Sequence, residues 1–176
     1  SGIIDDLITG INTEIREETN YKNIKQGTLN SALASEILLE QLTSCYENKI
    51  LTGSLSTSNK AIAQERIDSA STTVTTQITP VKTSIEENIA QANQNITDLE
   101  ELSDNIAKAQ TLEQVNSFKS STSALEGRLN DYDIFTLQEE QSIITTQMSA
   151  LNAITQTQIT ECQAFPPPPI PIVQNP

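Results

Sequence analysis

The stretch IFTLQEEQSIITTQMSALNAITQTQITEC (residues 134–162) decides the fold class. Ile134, Leu137, Gln141, Ile144, Met148, Leu151, Thr155, Gln158 and Cys162 alternate steps of three and four without a slip, the a and d positions of a heptad repeat. Ile143, Ile154 and Ile159 widen the apolar stripe. Gln141, Thr155 and Gln158 dilute it, a pattern that weakens a seam while fixing its register.

Working outward, Leu112, Val115, Phe118, Thr122, Leu125, Leu129 and Tyr132 also step by three or four residues and predict the preceding helix. Before it lies the longest periodic region, from Ser58 to Gln110, whose expected seam is Ile62, Ile67, Val74, Ile78, Val81, Ile85, Ile89, Ala92, Ile96, Leu99 and Ile106. Pro80 interrupts this region. It predicts a break or strong kink, with Thr79 as N-cap and the proline in the first turn. "STTVTT" (71–76) is rich in β-branched residues and poor helix material. At the N-terminal side, Ile4, Ile8, Ile11 and Ile15 share one helical face, and Gly27 is the best local breaker. A second helix reads through Leu29, Leu33, Ile37, Leu38, Leu42, Cys45 and Tyr46 to a stop at Gly53.

The expectation is therefore an all-α, elongated helical bundle with coiled-coil-like seams. One domain covers 1–164, with helices near 3–22, 28–51, 58–79, 80–110, 111–131 and 133–163. A polyproline-type tail follows at 165–176, because four consecutive prolines end any helix and favour an extended arm. Phe165, Pro166, Pro167, Pro168, Pro169, Ile170, Pro171, Ile172 and Val173 form this expected assembly arm, stiff enough to lay its aliphatic residues on a neighbouring chain or along its own bundle.

Composition narrows the chemistry. The 176 residues contain 36% hydrophobic and 3% aromatic side chains, too little for a thick core but enough for narrow seams. Acidic residues number 23 against 10 basic ones, a net charge of -13. Nucleic acid and anionic membranes both require clustered Lys and Arg, so neither is an expected partner. No apolar run approaches the ~20 residues of a membrane span, and no cleavable signal is evident. With no histidine, the commonest general base, the Ser/His and Cys/His pairs and most zinc sites are excluded. Glycine-rich phosphate motifs are missing too. The expected protein is not an enzyme and has no organic cofactor.

Three features bear on sites. Cys45 and Cys162 allow one intramolecular disulfide, two intermolecular ones or none. Acidic doublets offer weak Ca²⁺ candidates: Asp98, Glu100, Glu101 and Asp104 in "TDLEELSD" (97–104), and Asp131 and Asp133 in "NDYD" (130–133), since carboxylates three or four apart converge on a helix. The same residues also read as a solvated helix face. Asn95-Ile-Thr97 is a glycosylation sequon placed mid-seam.

Stretches such as "SCYENKILTG" (44–53) and "NIAQANQNITDLEELSDNIAKAQ" (88–110), with the acidic balance and thin seams, resemble the ciliate trichocyst matrix proteins and related granule lattice proteins. That resemblance implies a small acidic helical polypeptide, packed with copies or relatives in a secretory granule lumen or extracellular setting and responsive to Ca²⁺. The proline tail has no counterpart in it. Two other classes fit the residues: an extracellular helical adhesin akin to pilus-tip proteins of secretion systems, and an adaptor whose PxxP tail binds an SH3 or WW domain.

Overall fold

The computed structural model describes residues 2–126, 129 and 133–166. Its helices are α1 (Gly2–Thr52), α2 (Thr57–Thr73), α3 (Thr79–Ala107), α4 (Leu112–Glu126) and α5 (Ile134–Gln163), with a five-residue π-helical turn at Val74–Ile78 between α2 and α3. The protein is an all-α bundle, with no strand among the described residues. It divides into two compact units. One comprises 1–29 with 83–143, the other 30–82 with 144–176.

Helix ends follow local chemistry. Gly53 stops α1 as expected: its N–H bonds Lys49 O at 3.1 Å, and a Cβ at this position would meet that carbonyl at 2.5 Å. Ser56 caps α2, its hydroxyl accepting from Asn59 N–H at 3.1 Å. Thr111 and Gln114 form a reciprocal capping box on α4, with Thr111 Oγ1 accepting from Gln114 N–H and Gln114 Oε1 accepting from Thr111 N–H, both at 3.2 Å.

Two expected breaks are not breaks. Residues 3–22 and 28–51 belong to one helix, α1. A single glycine costs a helix only about 1 kcal/mol, too little to end one whose buried face continues on both sides. Gly27 instead admits a close neighbour: a Cβ there would lie 2.5 Å from Gln141 Nε2. The expected boundary at 79/80 is likewise replaced. Thr79 is helical (φ -57°, ψ -43°) rather than an N-cap, and its N–H reaches back five residues to Val74 O. The β-branched stretch before it stays helical, with the hydroxyls of Thr73, Thr75 and Thr76 donating to carbonyls one turn earlier.

Burial follows a seven-residue count. In the first unit, Ile11 and Glu18 lie on one row of α1, and Tyr21 and Thr28 on a second. In the second unit these rows read Ala32, Leu39, Tyr46 and Ser35, Leu42. The facing helices show Ala63, Ala70 and Ile78 in the second unit and Ile85, Ala92, Leu99 and Ile106 in the first. Every step within these sets is seven except Ala70 to Ile78, which is eight. An extra residue in a regular α-helix would turn Ile78 about 100° off the stripe. The wider π-turn absorbs it.

The expected seam is thus displaced at its start: Ala63 is fully buried while Ile62 is 40% exposed. Within the second unit, Ala32, Leu39, Leu42 and Tyr46 of α1, Ala63 and Ala70 of α2, Ile78 of the π-turn, and Met148 and Cys162 of α5 make the core. In the first unit, Ile11, Leu99, Leu102, Ile106 and Leu125 join α1, α3 and α4, and Tyr21, Ala92 and Leu137 join α1, α3 and α5. The α5 seam is placed as its spacing predicts, with Leu137, Met148, Thr155 and Cys162 buried. Polar seam residues are tolerated because their hydroxyls bond their own helix: Ser35 to Ser31 O, Thr28 to Ile24 O, Thr155 to Leu151 O.

Candidate functional site

The most organised chemistry lies where α1 and α5 end in the second unit. Residues 45 and 162, 117 apart in sequence, fall on facing rows, and the register brings their Cα atoms to 6.3 Å, within disulfide range. The Cys45–Cys162 disulfide closes there. Around it, Lys49 Nζ donates to Gln163 O at 3.2 Å, satisfying a carbonyl at the α5 C-terminus, where a cation suits the helix dipole. The chain then turns, Phe165 N–H bonding Cys162 O at 3.0 Å. The Phe165 ring packs edge-on against Tyr46, centroids 5.6 Å apart. Burial raises the Tyr46 phenol pKa above its usual 10.0; the Arg66 guanidinium opposes this and Glu161 adds to it.

The two sulfurs are not equivalent. Cys162 is fully buried in the core, whereas Cys45 is partly exposed. A groove of about 510 Å³ opens on Cys45, walled by Ile37, Glu40, Gln41, Ser44, Asn48, Ile159 and Gln163.

In the first unit, the α1 carboxylate of Glu18 is 2% exposed. It accepts from Asn95 Nδ2 at 3.3 Å, and Asn95 Oδ1 accepts from Gln91 Nε2 at 2.8 Å. One turn along, Lys25 lies over the Tyr21 ring and pairs with Glu140 at 3.7 Å. Burial, then the charges of Glu18 and Glu140, raise the Tyr21 pKa. Spacing arguments missed this cluster because Glu18 reads as half of a surface acidic doublet. Its place one heptad from Ile11 was the available signal. The sequon asparagine is the same buried Asn95, so the folded chain hides it from a glycan-transferring enzyme.

The α3 candidates Asp98, Glu100, Glu101 and Asp104 do not assemble into a metal site. Asp98 accepts from Gln94 Nε2 at 2.9 Å on its own helix, and Glu100, Glu101 and Asp104 are exposed along α3. Asp133 caps α5, accepting from Phe135 N–H at 2.9 Å through its carboxylate and from Leu137 N–H through its carbonyl. Asp131 lies outside the described residues. Among those described, no three acidic or thiol side chains converge on a metal position. Carboxylates three or four apart on one helix lack a second element to complete a Ca²⁺ shell of six to eight oxygens. No described helix is long and apolar enough to cross a membrane. Of the expected arm, Phe165 and Pro166 are described and 167–173 lie outside the described residues.

No family model matches this chain, and no curated protein or solved structure matches it.

Proposed function

We propose that the chain is a non-catalytic structural protein that packs with copies of itself or with related acidic helical chains into an ordered assembly. The setting would be an oxidising one, a secretory granule lumen or extracellular space, as the resemblance to trichocyst matrix proteins implies. One observation carries this reading: large aliphatic and aromatic residues stand on outer helix faces while several seam positions, among them Ala63, Ala70, Glu18, Ser35 and Thr155, hold small or polar residues. Ile37, Ile62 and Ile154 in the second unit, and Ile3, Leu112, Phe135 and Ile143 in the first, are each 40% exposed or more. Such faces gain from lateral neighbours. The disulfide supports the oxidising setting.

The net charge of -13 opposes packing between copies. Divalent cations would relieve it by diffuse neutralisation of exposed carboxylates, without a built site. Light scattering of the purified protein in millimolar Ca²⁺ and then EDTA tests this. A reversible rise in particle size is expected. A monomer indifferent to both ions would overturn the matrix reading and favour the adhesin. Partner capture abolished by deleting residues 166–176, with self-association unchanged, would favour the adaptor.

A further inference from the structure

We infer that Cys45 Sγ is a modification site: the point at which a small thiol opens the Cys45–Cys162 disulfide by exchange in the folded protein. The argument is one of access. Cys162 is 0% exposed, enclosed by the α1, α2 and α5 core with Phe165 packed against that core. Cys45 is partly exposed and forms part of the wall of the groove between α1 and α5, which is wide enough for a small thiol.

The incoming thiolate places its electron pair on Cys45 Sγ and forms a mixed disulfide there. The Cys45–Cys162 bond breaks, its pair leaving on Cys162 Sγ, which takes a proton from water. A second thiol attacking the outer sulfur of the mixed disulfide releases Cys45. The protein is then reduced by two electrons and the two reagent thiols are oxidised to their own disulfide. This opens the only covalent tie between the ends of α1 and α5, next to the Tyr46–Phe165 contact.

The experiment uses the full oxidised chain and 2-mercaptoethanol. Exchange is stopped at early times by acid, and the mixed disulfide is located by peptic digestion and mass spectrometry. The expected result is adduct on the Cys45 peptide in at least about tenfold excess over the Cys162 peptide, the excess collapsing towards equality when the reaction is run in concentrated urea. Adduct shared equally in native buffer would overturn the inference, because attack would then pass through unfolding. So would adduct mainly on Cys162, no exchange without denaturant, or a preference that persists in urea.

Discussion

If the π-turn at Val74–Ile78 exists to absorb one residue of seam phase, removing that residue should be tolerated where removing any other seam-spacing residue is not. Deleting Thr76, an exposed residue of the turn, shortens the Ala70–Ile78 step from eight to seven and leaves Ile78 on the Ala63–Ala70 stripe. The cost is that Pro80 then lies inside an uninterrupted α-ladder, about 3 kcal/mol. Pairing the deletion with P80A removes that cost, so the double variant should unfold within about 1 kcal/mol of the parent or above it. The control is deletion of Asn93, also exposed, which cuts the Ala92–Leu99 step to six. It turns Leu99, Leu102 and Ile106, now 1%, 9% and 0% exposed, by about 100°. Each loses about 2 kcal/mol of burial, so the control should lose about 5 kcal/mol or more, comparable with the whole stability of many domains. Urea denaturation followed by helical circular dichroism reads both. Equal losses in the two deletions would refute phase correction as the reason for the turn.

Three further outcomes follow from the cores. Replacing both Cys45 and Cys162 by alanine frees a loop spanning 117 residues, for which chain entropy assigns a loss of about 5 kcal/mol; a urea midpoint unchanged from the oxidised parent would contradict it. In the first unit, N95L should cost about 3 kcal/mol by withdrawing a donor from the buried Glu18 carboxylate, while E18L/N95L should recover most of it because neither polar group remains. A double variant worse than the single would show that Glu18 earns its place through other partners. On the alkaline side, Tyr21 and Tyr46 have folded pKa values above 10.0, chiefly through burial. The folded state therefore holds protons that the unfolded chain has lost, so their stabilisation is complete below pH 10 and falls as pH rises above it. Y21F/Y46F should flatten that fall in thermal melts taken across the range, and an unaltered slope would reject the assignment.

The parts of this fold legible in the sequence are those where a large aliphatic side chain marks a heptad position. Leu137, Ile144, Met148 and Leu151 do so, and α5 is placed where its spacing puts it. Where small or polar residues occupy the seam, apolar spacing points elsewhere. Ile62 outranks Ala63 in any hydrophobicity count, yet Ala63 is the buried one, because α2 meets α1 and α5 through Ala63 and Ala70. Gly27 and Pro80 read as stops because propensity is local, whereas continuation of a buried face on both sides is a tertiary gain that outweighs it. The disulfide pairing was open because it depends on the relative register of α1 and α5, which neither helix specifies alone. Asp98, Glu100, Glu101 and Asp104 are not gathered into a cluster for the converse reason: convergence on one helix face is local, but a cation shell needs oxygens from elsewhere.

Burial here follows heptad position even where the residue is small or polar. Glu18, Thr28, Ser35, Asn95 and Thr155 are enclosed, while Ile37, Ile62, Ile143 and Ile154 face outward. A hydroxyl in a seam bonds the carbonyl four residues back on its own helix, so it costs little there, but it contributes little apolar area. Such polar positions therefore hold helices in register without adding to the hydrophobic term that Leu39, Ile78, Leu99 and Ile106 supply. Further aliphatic residues able to add to that term stand on the outside. A chain selected only to be a stable monomer gains by exchanging those two sets. In the assembly we propose, the outward isoleucines would be buried by neighbours and the bundle stabilised by mass action.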